Sequence, residues 1–303
     1  MTHQINCEIT LPSNYRPADA LKFHARDVTG FSEIVRDTVI RKGLLFDGVP
    51  TLATIEIGKK KARCTLAFDA AVELDSRTCK ALMRRLLGLV IDADSFEQAM
   101  QSHPELGPTI RAQTGLRLPM AATAFEALIW AVTGQQINLG VALQLRRRLI
   151  ALTGLQHSSG VACHPDAQAV AKLTADQLGQ AKFSRAKTQT ILTVSQMVCA
   201  GELPLDEWQG EPINAERNAE RINAQLLAIR GIGPWTANYT LLRGFGWADG
   251  SLHGDVAVRN SLQEILQQAD KVSIPQAEQW LAQFSPWRSL TAAHLWARLA
   301  KTT

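Results

Sequence analysis

Long apolar runs are missing from this chain. No stretch of 18 apolar residues occurs, and the nearest approach, around Phe125–Val132, is cut by Glu126 and then by the polar run TGQQIN. A membrane-spanning helix needs about 20 predominantly apolar residues, so no membrane partner is expected. The opening residues MTHQINCEITLP lack a positive flank followed by an apolar stretch, so no signal peptide is expected and the chain reads as intracellular.

Cysteine is scarce and scattered. The five cysteines stand at 7, 64, 79, 163 and 199, with the closest pair 15 residues apart. That spacing excludes a CxxC zinc knuckle and a four-cysteine iron–sulfur run. An odd count without a secretion signal fits a reducing compartment. Excess charge of one sign is also missing: 32 basic residues stand against 28 acidic ones, a net of +4. So mild an excess permits a nucleic-acid partner without requiring one. The glycine-rich GFGWADG follows a helical pattern rather than a strand, which argues against a dinucleotide loop.

What is present is a globular balance, 46% hydrophobic and 20% charged over 303 residues. That length exceeds a typical domain of roughly 100–200 residues and supports two or three cores. The first third mixes strand and helix signals. INCEITL alternates apolar and polar residues, as a half-buried strand does; TLATIEI and RCTLAF alternate likewise around GKKK, which predicts an antiparallel hairpin with lysines 59–61 in a solvated turn. Cys79, Leu82, Met83, Leu86, Leu87 and Val90 follow helical spacing behind a cap at Asp75 or Ser76.

Beyond about residue 105 the strand signal fades. Phe125, Leu128, Ile129 and Val132 form one helical stripe ended by Gly134, and Asn138 is placed to cap a helix burying Val141, Leu145 and Leu149. Residues 155–165 are small, polar and unpatterned, which predicts a surface loop. Helices follow near 175–200, 216–230, 234–243, 256–268, 275–284 and 287–300. The fold class is an α+β N-terminal part, residues 1–105, with a small antiparallel sheet. A mainly α-helical part follows from about residue 106 to the end.

The most informative segment is LLAIRGIGPWTANYTLLRGFG, residues 226–246. A helix ends at Gly231, and Pro234 stands in the first turn of the next. Two glycines around Ile232 allow a hairpin whose outward N–H groups, with the following helix dipole, can hold a phosphate; a tight helix–helix turn without a ligand is the plainer reading. Such a grip is blind to sequence.

GIGPWTANY followed by LHGDVAVRNSL resembles the helix-hairpin-helix and aspartate loop of the DNA glycosylase superfamily, in its DNA-3-methyladenine glycosylase II, or AlkA, type. LRLPMAATAFEALIWAVTGQQIN, GELPL and PWRSLTAAHLWAR support the likeness, which runs from about residue 115 to the end and more weakly over the sheet part. The resemblance implies the helix-hairpin-helix glycosylase fold, its helical core in two lobes, 106–247 ending in the hairpin and 248–303 packed with 106–122, and Asp255 as the catalytic carboxylate. It implies Trp235, Tyr239 and Trp287 as the aromatic base pocket, and Gly231, Ile232, Gly233 and Thr236 as DNA-binding residues. Gln136 would fill the gap left by a flipped nucleotide, or else serve as a polar kink. Asp255 directly precedes a helix and can equally be its N-cap; both roles can hold.

Breaking an N-glycosidic bond develops positive charge on the sugar, which a fixed anion stabilises. The family's second acidic residue is replaced by Gly254, and the nucleophilic lysine of its strand-cutting members by Trp235, so no Schiff base forms there. Val256 stands where some relatives carry an aromatic, which widens the pocket. Asp249 fits the pattern less well than Asp255. Trp130 and Trp296 read as core, His253 and His294 as structural. Of Arg146, Arg147 and Arg148, at most two can face DNA together. The implied partner is double-stranded DNA carrying alkylated bases, met by a monomer, cytoplasmic and nucleoid-associated in a prokaryote. No cofactor is required, and the backbone carbonyls of Leu227, Ile229 and Ile232 are where such a hairpin holds a monovalent or divalent cation. The expected activity is monofunctional release of cationic purines such as 3-methyladenine. The alternatives are a non-catalytic helix-hairpin-helix protein that grips or senses damaged DNA, and a glycosylase/lyase with its amine elsewhere.

Overall fold

A computed structural model describes residues 2–210 and 216–299. Its first 72 residues form β1 (Thr2–Thr10), α1 (Pro17–His24), β2 (Glu33–Arg36), β3 (Val39–Phe46), β4 (Val49–Ile57) and β5 (Lys61–Val72). The strands lie antiparallel in the order β1-β5-β4-β3-β2. In β1, Cys7 and Ile9 turn inward while Asn6, Glu8 and Thr10 face solvent, as the alternation predicts. The expected hairpin is β4–β5, and Lys61 at its turn pairs with the exposed Glu8 at 2.8 Å. β2 and β3 carry no clean alternation, because Gly43 interrupts VIRKGLLF and three apolar residues then follow in a row.

The sheet is covered by α2 (Ser76–Leu86), whose cap is Asp75; its Oδ1 accepts the Thr78 N–H at 2.7 Å. Cys79, Met83, Leu86 and Leu87 are fully buried. Gly88, at φ +74°, ends this run, so Val90 falls outside the helix and is 42% exposed instead of extending the apolar stripe.

Next come α3 (Ala93–Met100), α4 (Gly107–Arg111), α5 (Ala124–Gly134) and α6 (Leu139–Thr153). Thr123 caps α5 and Asn138 caps α6, the latter accepting the Val141 N–H at 3.0 Å. Leu145 and Leu149 are buried as expected; Val141 is not, because the first turn of α6 projects past the core.

The 155–165 segment departs from the expected surface loop. Cys163–His164 form β6, parallel to β3 with Cys163 opposite Gly43, and residues 161–164 are buried. Gly43 makes this possible: a Cβ there would lie 2.2 Å from the Ala162 carbonyl oxygen. A two-residue strand is too short to show any period.

The rest is helical: α7 (Ala167–Ala171), α8 (Ala175–Gln180), α9 (Arg185–Cys199), α10 (Leu205–Gly210), α11 (Glu216–Leu227) and α12 (Pro234–Thr240). A π-helical turn at Leu241–Phe245 follows, then α13 (Val256–Ile265), α14 (Ile274–Ala282) and α15 (Arg288–Leu299). The helix expected over 175–200 is two, separated by a turn with Lys182 at φ +71° and restarted by Ser184 as cap. Residue 300 of the expected 287–300 helix lies outside the described residues. Three apolar cores result: sheet with α2, α5–α12, and α3–α4 with α13–α15. The segment 234–245 partitions the last two, sending Ala237, Leu241 and Phe245 to one and Tyr239 and Leu242 to the other.

Sheet and helices meet over a buried ionic cluster. Lys42 Nζ lies 2.6 Å from both Glu33 and Glu126, and Arg146 lies 3.1 Å from Glu126 and 3.5 Å from Glu33. Burial alone would raise both carboxyl pKa values; the Lys42 and Arg146 cations beside them hold both well below the usual 4.5. Burial pushes the neighbouring His164 down to about 4, so it is neutral. Lys42→Met leaves two buried carboxylates short of a cation and should cost about 3–5 kcal/mol in urea unfolding at neutral pH. A loss under about 1 kcal/mol would show that the cluster does not hold the two parts together. Because the folded carboxyl values lie below the unfolded one, the wild-type contribution is full above pH 4.5 and falls as pH drops below it.

Candidate active site

α11 ends at Leu227, and the chain reverses through two turns, Ile229 N–H donating to the Leu226 carbonyl at 3.1 Å and Ile232 N–H to the Ile229 carbonyl at 3.0 Å. Gly231 adopts φ +93°, and a Cβ on it would meet Thr190 Oγ1 at 2.1 Å. Both conditions require glycine. Gly233 caps α12, with Pro234 in its first turn. Gly231 is exposed and Gly233 half-buried, so the backbone of the turn faces outward while the Ile229 and Ile232 side chains anchor it in the core.

Thr236, expected at the DNA surface, has its side chain buried: it is 2% exposed and its hydroxyl accepts from Gln135 Nε2 at 2.9 Å. The same Gln135 nitrogen donates to the Gly231 carbonyl at 2.8 Å. Gln135 is therefore the polar residue that ties the α5–α6 loop to the hairpin. Gln136 beside it is exposed, with a left-handed backbone at φ +56°.

Asp255 caps α13 and does more. Its Oδ1 accepts the Val258 N–H at 3.0 Å and the Trp296 indole N–H at 3.1 Å, and its Oδ2 accepts the Trp235 indole N–H at 2.8 Å. A carboxylate has about four lone-pair sites, so three donors fix its orientation and leave room for a water. Trp235 stacks on Tyr239 at 5.1 Å and 28°, and Tyr239 tilts against Trp296 at 6.1 Å. Trp130 Nε1 donates to the Tyr239 hydroxyl at 2.9 Å.

The structure thus brings Asp255, Trp235 and Tyr239 together. Trp287 packs on Phe96 at 6.0 Å in the same apolar core, and the third ring of the stack is Trp296, which the sequence reads as core. Trp130, which the sequence also reads as core, reaches the stack through its bond to the Tyr239 hydroxyl. No spacing rule flags Trp296, 41 residues from the carboxylate it touches. Asp249 is buried in a two-pronged pair with Arg288 at 2.8 Å and clamps the start of α15. His294 is buried among the helices, and burial pushes it down to about 3, which suits a structural part. Arg146 belongs to the ionic cluster, not to a surface.

A small cleft of about 40 Å³ opens beside this stack, between the sheet part and the helices. Phe23, Arg26, Trp130, Leu143, Tyr239 and Arg243 are among its walls. Asp255 does not itself line it; the connection runs through Tyr239, whose ring neighbours Trp235 and Trp296 both hold the carboxylate.

Sheet, hairpin, aspartate loop and aromatic stack together define the helix-hairpin-helix DNA glycosylase fold. Residues 10–123 match the AlkA N-terminal domain family. The chain is similar to the DNA-3-methyladenine glycosylase of Bacillus subtilis, 23% identical over 302 residues, covering 97% of this chain and 98% of that protein. It is 28% identical over 278 residues to a Mycobacterium tuberculosis protein named as a bifunctional transcriptional activator/DNA repair enzyme AlkA. It covers 88% of this chain but 51% of that one, so the chain spans about half the length of that relative. The solved 3-methyladenine DNA-glycosylase of Archaeoglobus fulgidus shares the fold with a TM-score of 0.78 at 20% identity, covering 96% of this chain and 97% of that one.

Gly231→Ala should destabilise the fold by about 1–3 kcal/mol, since alanine is strained at positive φ and its methyl would displace Thr190. Chemical denaturation checks this. An unchanged midpoint would mean that the turn tolerates a side chain and does not need its left-handed form.

Proposed function

We propose that this chain is a monofunctional DNA glycosylase of base excision repair, an N-glycosyl hydrolase acting on alkylated, cationic purines such as 3-methyladenine in double-stranded DNA. The observation that carries this reading is the carboxylate of Asp255 held between the N–H groups of Trp235 and Trp296, beside a stack of aromatic rings. A protein that only grips DNA has no use for an oriented anion among tryptophans, which disfavours the non-catalytic alternative.

In this reading the exposed turn at Gly231–Gly233 holds a backbone phosphate, and Gln136, free of the contacts that engage Gln135, enters the duplex where the nucleotide leaves it. The extruded base is received on aromatic faces, which favour a cation. The C1′–N bond breaks with its electron pair going to the base, which leaves neutral because it began positively charged. The sugar's developing positive charge is stabilised by Asp255. Water bonds to C1′ and gives its proton to the carboxylate and then to solvent. An abasic site remains, and with Trp235 in place of an amine no Schiff base forms. The protein works as a monomer. If the hairpin binds a cation, the carbonyls of Leu227, Ile229 and Ile232 hold it; oxygen donors suit a hard ion, and the Ile229 carbonyl already closes the turn on Ile232.

Asp255→Asn keeps an oxygen for the Val258 cap but turns an N–H toward that of Trp235. It should lower single-turnover release of 3-methyladenine by roughly 10²–10³ while duplex binding persists. Wild-type release unchanged in the variant would remove Asp255 from the mechanism. Borohydride should trap no covalent adduct on abasic DNA, and a trapped adduct would indicate a lyase.

A further inference from the structure

α5 ends without a glycine cap. Gly134, its last residue, does not take the left-handed form, and the Gln135 N–H reaches the Val132 carbonyl only at 3.4 Å. The left-handed residue is Gln136 instead, at φ +56° on the surface. A residue other than glycine keeps that conformation only where its surroundings fix it.

The end of α5 is fixed by Lys187, 54 residues further along the chain, whose Nζ donates to the Thr133 carbonyl at 2.7 Å. The lysine is buried, and burial lowers its pKa with no carboxylate among the described residues pulling the other way. Local preference opposes a lysine here. Ser184 caps α9, so Lys187 is the third residue of that helix, where glutamate or glutamine completes a capping box and a cation opposes the helix dipole. A buried ammonium without an anion is a further cost. What offsets these terms is the negative end of α5, whose last carbonyls have no partner within the helix. Such conflicts are expected where a site, rather than local stability, sets the residue.

The same helix reaches the hairpin. Thr190, three residues beyond Lys187 and so on the same face of α9, has its Oγ1 3.3 Å from the Arg230 carbonyl and lies against Gly231. Gln135 closes the triangle by donating to the Gly231 carbonyl.

We propose that Lys187 is a positioning residue for Gln136. Through the Thr133 carbonyl it sets where the wedge stands relative to the phosphate-holding turn, and α9 fixes the spacing of the two by holding one with Lys187 and the other with Thr190.

This rests on the glycosylase reading with Gln136 as the wedge, and the test separates the two. Single-turnover release is measured on duplexes with one 3-methyladenine opposite thymine, or opposite cytosine, where the base is mispaired and costs less to extrude. Lys187→Met keeps an unbranched stem and loses the donor. It should slow release opposite thymine roughly tenfold, with a smaller loss opposite cytosine. Lys187→Arg, which still offers an N–H, should recover most of the rate. The double variant Lys187→Met/Gln136→Ala should be no slower than Gln136→Ala, because a residue acting through Gln136 has nothing to position once that side chain is gone. Thermal unfolding is the control, and Lys187→Gln, one bond shorter than lysine, replaces Lys187→Met if that variant does not fold. Equal losses opposite both bases, or losses that multiply in the double variant, overturn the assignment and leave Lys187 a residue of the fold alone. No release by wild type overturns the glycosylase reading and this assignment with it.

Discussion

The geometry of the site depends on a carboxylate held by two indoles. An anion near an apolar core is costly unless donors meet it, and Asp255 is met by a backbone N–H and two tryptophans drawn from segments 20 and 41 residues away. Each donor comes from a different helix: α13 through its own cap, α12 through Trp235 and α15 through Trp296. The hairpin that ends in Gly233 sets the start of α12 and hence Trp235. The Asp249–Arg288 pair fixes the start of α15 and hence Trp296. The capping role does not exclude the proposed catalytic one, because Oδ1 serves the helix while Oδ2 carries a single indole N–H and keeps a free lone pair.

The same economy is visible at the hairpin. Gly231 is required twice over, by its positive φ and by the approach of Thr190, and its carbonyl is the acceptor through which Gln135 ties in the α5–α6 loop. The loop, the exposed turn and the start of α12 are therefore tied together. Gln135 and Thr236 look like surface polar residues in the sequence, yet their contribution is to couple two loops.

Local signals carried much of the reading. Caps at Asp75, Asn138 and Asp255, the period-two pattern of β1 and the glycine–proline punctuation of 231–234 are each decided within a few residues, and the structure agrees with them. Long-range partners were not legible. β6 exists because Gly43 admits it, a condition set 120 residues away from Cys163. Trp296 and Trp287 are indistinguishable by type and local context; only packing decides that one meets Asp255 and the other Phe96. Val141 has the right spacing for burial, but α6 extends one turn beyond the core that would cover it.

Charge in this molecule is sorted rather than dispersed. The ionic cluster of Lys42, Arg146, Glu33 and Glu126 is internally balanced, so its acids contribute little field to the cleft they border. The unbalanced charges are thus separated in space: an anion at Asp255, among indole N–H groups, and cations at Arg26 and Arg243, on aromatic faces. A bond that breaks with electrons flowing from sugar to base builds positive charge at one end and relieves it at the other. In the proposed reaction that polarity matches the arrangement of Asp255 and Arg243 about Tyr239, Trp235 and Trp296.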